Sequence, residues 1–198
     1  MRPTIIDNKD IKMYNFVSEK ITANDQLRIA SGFFNVGGYS LLSDAIGTLV
    51  SKGGKIRVII GRESIEKHST INYVEKSLHE DMAIAFDASG VRTVNSLISL
   101  ITNKKMEFRK YTEKFHHAKC YIFGSKNDNN SATAIGSSNF TRAGLTANVE
   151  LNLVTYEPPS IELSEKWFEQ RWKESTDISK NLYTYWKNQN SAKSWNPI

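Results

Sequence analysis

The stretch that most limits what this chain can become runs from residue 26 to residue 61. Residues 26–34 read as a strand with Leu27, Ile29 and Ala30 in its buried part, and Asn35-Val36-Gly37-Gly38 follows as a turn. Tyr39, Leu41, Leu42, Ala45, Ile46, Leu49 and Val50 then form a helical stripe that stops at Lys52-Gly53-Gly54, glycines behind a basic last turn. Residues 55–61, Lys-Ile-Arg-Val-Ile-Ile-Gly, are a second strand. Joints this short make strand, helix and strand a crossover unit, so the two strands are expected to run parallel. Gly37-Gly38 lacks the spacing and lysine of a P-loop and the third glycine of a dinucleotide fingerprint, and it is read as a plain tight turn.

Around this unit the same alternation continues. Ile11, Tyr14, Val17, Ser18 and Ile21 suggest a first amphipathic helix. Residues 71–86 and 91–101 read as two more helices broken by Asp87-Ala88-Ser89-Gly90, and residues 106–109 as a short strand. Pro158-Pro159 stops a later strand, Ser160 is placed to cap a helix holding Leu163, Trp167, Phe168 and Trp172, and residues 178–187 form a last helical segment. The expected fold is α/β: a layered, mixed, mostly parallel sheet flanked by helices. A single domain is expected over residues 1–187, its helical C-terminal part at about 160–187, with a polar tail over 188–198.

Composition narrows the setting. Hydrophobic residues at 39% and charged residues at 24% are globular values. Lysine and arginine outnumber aspartate and glutamate 26 to 21, and the resulting +5 favours a polyanionic partner such as nucleic acid. The single cysteine, Cys120, has no internal disulfide partner, which suits a reducing, cytoplasmic setting. No leading basic segment with an apolar run and no stretch of membrane-spanning length is present, so no membrane association is expected.

The chemistry sits in two further stretches, residues 115–123 and 134–140, both read as strands. Successive strand side chains point to opposite faces, so His117 and Lys119 share a face while Ala118 and Cys120 turn away. Ser137 and Asn139 share a face in the same way. Glu150 lies between Val149 and Leu151, both expected to point the other way, so that one ledge would hold all five polar groups. The polar run over residues 125–131 is the tip between these two strands.

His117-Ala118-Lys119 followed by Gly136-Ser137-Ser138-Asn139 resembles the H-x-K and G-S-x-N signature of the phospholipase D superfamily. The resemblance covers roughly residues 25 to 175, from Ser31-Gly32-Phe33 through Phe140-Thr141 and Gly144-Leu145 to Glu150. Within the superfamily it is nearest to the single-motif nucleases: restriction endonucleases with one such unit per chain, and domains fused ahead of superfamily 2 helicases. Trp167-Phe168-Glu169-Gln170-Arg171-Trp172 looks like the segment closing the helicase-associated version. The resemblance implies that His117 attacks phosphorus to give a phosphohistidine. Lys119 and Asn139 would donate to the non-bridging oxygens, with Ser137 in support. Glu150 would hold the imidazole in its attacking tautomer. Arg142 is a candidate for a flanking phosphate.

This chain carries one motif where the chemistry uses two histidines, so the resemblance implies a homodimer in which one His117 attacks while the other protonates the leaving oxygen. It implies no metal ion and no cofactor. One departure stands out: the longer family pattern has an aspartate five positions after the lysine, and here that position is Gly124. The function implied is a metal-independent nuclease acting on DNA, with the choice between DNA and RNA left open, in restriction or another defence system; no base-reading module is recognisable. Two rivals stand beside it. One is a DNA-binding or dimerisation module of a larger helicase-type machine with latent catalysis, its partner a helicase or specificity subunit. The other is a phospholipid phosphodiesterase.

The plainer readings assign His116 to a structural role on the opposite face, Cys120 to the core, and Trp167, Phe168 and Trp172 to packing. His68 and His79 have no ligand-spaced partner and are read as surface residues.

Overall fold

In the computed structural model the described residues are 2–61 and 88–184. The helix expected over 71–86, His68, His79 and the tail from 188 lie outside them. A two-residue strand, β1 (Ile5–Ile6), and the helix α1 (Met13–Ala23) lead into β2 (Gln26–Ser31), α2 (Val36–Ser51) and β3 (Lys55–Ile60). β2 and β3 pair in parallel from Gln26↔Lys55 to Ser31↔Ile60, as the crossover requires. The expected turn at residues 35–38 is instead the start of α2. The Asn35 side chain accepts the Gly38 N–H at 2.7 Å, satisfying one of the donors a helix leaves open at its start, and the two glycines fall in the first turn.

The helix α3 (Ala88–Thr102) begins inside the stretch expected to break it, and β4 (Met106–Lys110) follows. Next come β5 (Cys120–Phe123), β6 (Ala132–Gly136), the short helix α4 (Arg142–Thr146) and β7 (Asn152–Thr155). The long helix α5 (Pro158–Lys173) and β8 (Thr176–Asp177) come last, before helical residues 179–184. α5 starts two residues before the expected cap at Ser160, because prolines fit the first helical turn, where the N–H they lack has no partner anyway.

The sheet order is β1-β7-β6-β5-β2-β3-β4-β8. It is mixed, but parallel pairing is confined to β2–β3 and β3–β4, and the other five pairings are antiparallel. The expected parallel majority fails for a topological reason: each parallel pair needs a crossover, whereas β5 enters beside β2 in the reverse direction and turns back as a hairpin into β6.

Two faces of unequal cover result. On one, α1, α2 and α3 bury Leu27, Ile29, Ile56, Val58, Tyr121, Phe123, Ala134 and Val154 in the main core. On the other, α5 covers a smaller cluster of Ala30, Ile59, Cys120 and Ile122 with Ile161, Phe168 and Trp172. Arg28 and Arg57 lie under this helix, paired with Glu165 and Glu169, and the Arg57 guanidinium sits 5.2 Å from the Trp172 ring centre.

Candidate active site

Every candidate catalytic residue lies just off a strand end, not within a strand. β5 begins only at Cys120, because the β2–β5 ladder runs out at Ala30↔Cys120 and β2 itself stops at Ser31. β6 ends at Gly136, and β7 begins at Asn152, two residues after Glu150. The polar groups therefore gather beyond the carboxyl ends of the parallel strands β2 and β3, where ligands commonly sit in open α/β sheets.

The decisive geometry is at Gly32. A Cβ placed there would lie 3.3 Å from Asn139 Oδ1, 3.4 Å from His117 Cδ2 and 3.4 Å from Lys119 Nζ. Three side chains from two separate segments thus converge on the space a single methyl group would fill. Gly32 thus joins the candidate site, and the small pair Ser31-Gly32 at the end of an apolar strand is its visible signal in the sequence.

Ser31 fixes the third member of this group. Its hydroxyl donates to Phe33 O at 2.6 Å, accepts from Phe140 N–H at 3.0 Å and lies 3.2 Å from Asn139 Oδ1. Asn139 Oδ1 also accepts the Phe33 N–H at 3.1 Å. A main-chain N–H can only donate, so the oxygen is assigned to this position and the amide NH2 remains as a donor pair. Lys119 is 4% exposed, and its ammonium donates to His117 O at 3.0 Å, tying the cation to the backbone of the histidine it serves.

Ser137 and Glu150 form a second group. The Ser137 hydroxyl donates to Glu150 Oε2, Leu151 N–H donates to Ser137 Oγ at 3.0 Å, and Asn148 Nδ2 donates to Glu150 Oε1 at 3.2 Å. Val149 and Leu151, expected to point away from Glu150, are 101% and 62% exposed; Leu151 continues the face of Leu153, which is 60% exposed although β7 is paired there. Buried supports hold the loop beneath: Tyr121 OH donates to Ser138 O at 3.0 Å, and Asn152 Nδ2 donates to Ser138 Oγ at 2.8 Å. Arg142, exposed at the start of α4, donates its N–H to Asn35 Oδ1 at 3.2 Å and lies along the N-terminal turn of α2.

His116 faces the other way, as the alternation requires. It is buried between Tyr111 and Trp167, ring centres 5.4 and 6.0 Å away, and burial, aided by the charges of Arg171 and Lys119, lowers its pKa to about 4. Burial likewise pushes the Cys120 thiol up to about 12, which makes it a core residue. Gly124, where an aspartate would stand in the longer pattern, has φ +67, and a Cβ there would overlap Asn24. A side chain at that position has neither the backbone conformation nor the room. Among the described residues no three His, Cys, Asp or Glu side chains cluster as metal ligands, and no helix is long and apolar enough to cross a membrane.

The family model described as cardiolipin synthase, phospholipase D-like domain, matches residues 17–172. The chain belongs to the phospholipase D superfamily. Solved structures agree in fold. A phospholipase D family member, Nuc from Salmonella typhimurium, is 17% identical with a TM-score of 0.53 over 82% of this chain and 88% of its own. NucT from Helicobacter pylori is 18% identical with a TM-score of 0.55, covering 88% and 97%. The phosphatidylserine synthase of Haemophilus influenzae is 10% identical with a TM-score of 0.59, covering 96% of this chain and 45% of that one. No curated protein matches by sequence. Membership in the superfamily supports a phosphodiesterase activity, and in this phospholipase D-like chain His117 and Lys119 of H-x-K meet Asn139 of G-S-x-N at Gly32.

Proposed function

We propose that the protein is a metal-independent nuclease that hydrolyses DNA phosphodiesters through a phosphohistidine on His117. The observation carrying this reading is the convergence of His117, Lys119 and Asn139 on Gly32. A phosphate fits where three such groups meet over a residue without a side chain. One imidazole nitrogen attacks phosphorus, the P–O bond to the leaving nucleoside breaks, and its oxygen takes up a proton; water then attacks the phosphohistidine and frees the histidine. The Lys119 ammonium and the Asn139 amide donate to the non-bridging oxygens, where negative charge concentrates. Glu150 serves as the orienting carboxylate, held by Ser137, and Arg142 reaches a flanking phosphate. The +5 charge suits a polyanionic substrate, and the fold is shared with nucleases.

A second copy of the chain would supply the proton. His116, the neighbouring histidine, is buried with a pKa near 4 and is a poor acid at neutral pH. A bare apolar row also supports self-association: Ile5, Leu153 and Ile135 pair across β1, β7 and β6 on the α5 side of the sheet, all about half exposed or more, beside Leu151 and Val149. Restriction or another defence system is the setting proposed, and a helicase or specificity subunit the further partner.

The test is cleavage of plasmid and single-stranded DNA in excess EDTA, wild type beside His117→Ala. Cleavage that survives chelation and falls at least a thousandfold with His117→Ala is the expected result, a loss on the scale seen when covalent catalysis is removed. Hydrolysis of vesicle phospholipid but not DNA would replace this reading with a lipid phosphodiesterase, and DNA binding without cleavage would replace it with a latent module.

A further inference from the structure

A cleft of about 660 Å³ opens between the segment leading into His117 and the last turns of α5. Its volume is that of a small-molecule site. Phe115 forms its lip. This ring is 63% exposed and stacks on His117, ring centres 5.6 Å apart and 16° from coplanar, so its other side faces away from the nucleophile. A largely exposed phenylalanine contributes little to the core, and here it lies two residues from the attacking group.

The lining distinguishes among ligands. Glu113 and Glu174 balance Lys114 and Arg171, and the Arg171 guanidinium is already committed to Glu174 and lies 5.8 Å from the Tyr111 ring centre. A phosphate would find no surplus of positive charge. A flat, neutral group with hydrogen-bonding edges would find aromatic faces at Phe115 and Tyr111 and an amide at Gln170. His116 also lines the cleft, but its side chain is 5% exposed and its Nε2 is buried, so it offers a ligand no polar contact.

We propose that this cleft receives the base of the nucleotide next to the scissile phosphodiester, turned out of its strand and stacked on Phe115. The proposal rests on the nuclease reading and adds a substrate subsite to it. Base stacking on aromatic side chains tolerates any sequence, so the cleft favours unpaired strands without selecting a sequence. Single-stranded DNA becomes the preferred substrate, because a paired base must first leave its stack.

The test compares kcat/KM for two small phosphodiesters with the same leaving group, thymidine 5′-(4-nitrophenyl) phosphate and methyl 4-nitrophenyl phosphate, in EDTA. Wild type is expected to favour the thymidine ester. Phe115→Ala lowers that preference about tenfold or more, the scale of one lost stack, and Phe115→Tyr restores it. A preference unchanged in Phe115→Ala, or equal losses on both esters, overturns the subsite and leaves Phe115 a support for His117. If wild type hydrolyses neither ester nor DNA, the nuclease reading itself has failed. The cleft is then judged by calorimetric binding of thymidine 5′-monophosphate to wild type and Phe115→Ala, and binding that is absent or independent of Phe115 overturns it.

Discussion

The two faces of the sheet are built to different standards. Under α1, α2 and α3 the strands present an unbroken apolar surface, with Leu27, Ile29, Val58, Tyr121 and Phe123 all at 1% exposure or less. Under α5 the strands alternate apolar residues with Arg28, Arg57 and Arg109, and the helix answers with Glu165, Glu169 and Trp172. Beyond α5, the row Ile5–Leu153–Ile135 is about half exposed or more and has no cover among the described residues. The first face holds the fold together. The second has charge and apolar surface to spare, and its rim carries the candidate catalytic segment.

The largest effect that would sharpen this contrast is expected from Phe123→Ala. It removes a fully buried ring that meets Phe16 edge-on at 5.7 Å, and a loss of about 3–5 kcal/mol in denaturant unfolding is expected. A loss below about 1 kcal/mol would mean that the helix-covered face is not the foundation.

A smaller effect belongs to His116 on the second face. Its folded pKa of about 4 lies below the ordinary value of 6.5, so between those limits the unfolded chain binds the extra proton. Stability is therefore complete above about pH 6.5 and is lost as pH falls toward 4, by on the order of 2 kcal/mol. Thermal unfolding measured from pH 7.5 to 4.5 should show this decline, and the decline should flatten in His116→Phe. An unaltered slope would show that the ring is not held neutral between Tyr111 and Trp167.

The smallest change in protomer stability is expected where the second face is bare. Ile135→Ser together with Leu153→Ser should alter unfolding by less than about 1 kcal/mol, since neither side chain is buried within the protomer. Sedimentation should nevertheless show a shift from dimer to monomer. If wild type is already monomeric, or the double variant still dimerises, the second copy does not lie on this row.

Much of the organisation was legible in the chain. The β2-α2-β3 crossover followed from a helical stripe ending at Gly53-Gly54 between two apolar runs, because local periodicity alone encodes it. The opposed faces of His116 and His117 followed from the period of two, which persists in extended chain even where no ladder forms. Other features were not legible. Val149 and Leu151 are apolar residues of an expected strand, yet their exposure depends on whether another element covers that face of the sheet, and such cover comes from elsewhere in sequence. The same holds for the direction of β5, which is set by its seat beside β2.

The sequence by itself determined the chemical groups of this protein, their order, and that His117 shares a side with Lys119. Covalent spacing and the alternation of side chains are local properties, so no fold is needed to read them. Only the tertiary structure decided that Gly32 would be the empty point on which His117, Lys119 and Asn139 close, that the Phe33 N–H would aim the Asn139 amide, and that a cleft would open beside Phe115. Those are contacts between segments more than a hundred residues apart at the widest, and it is packing of the sheet, not the pattern along the chain, that brings them within a few ångströms.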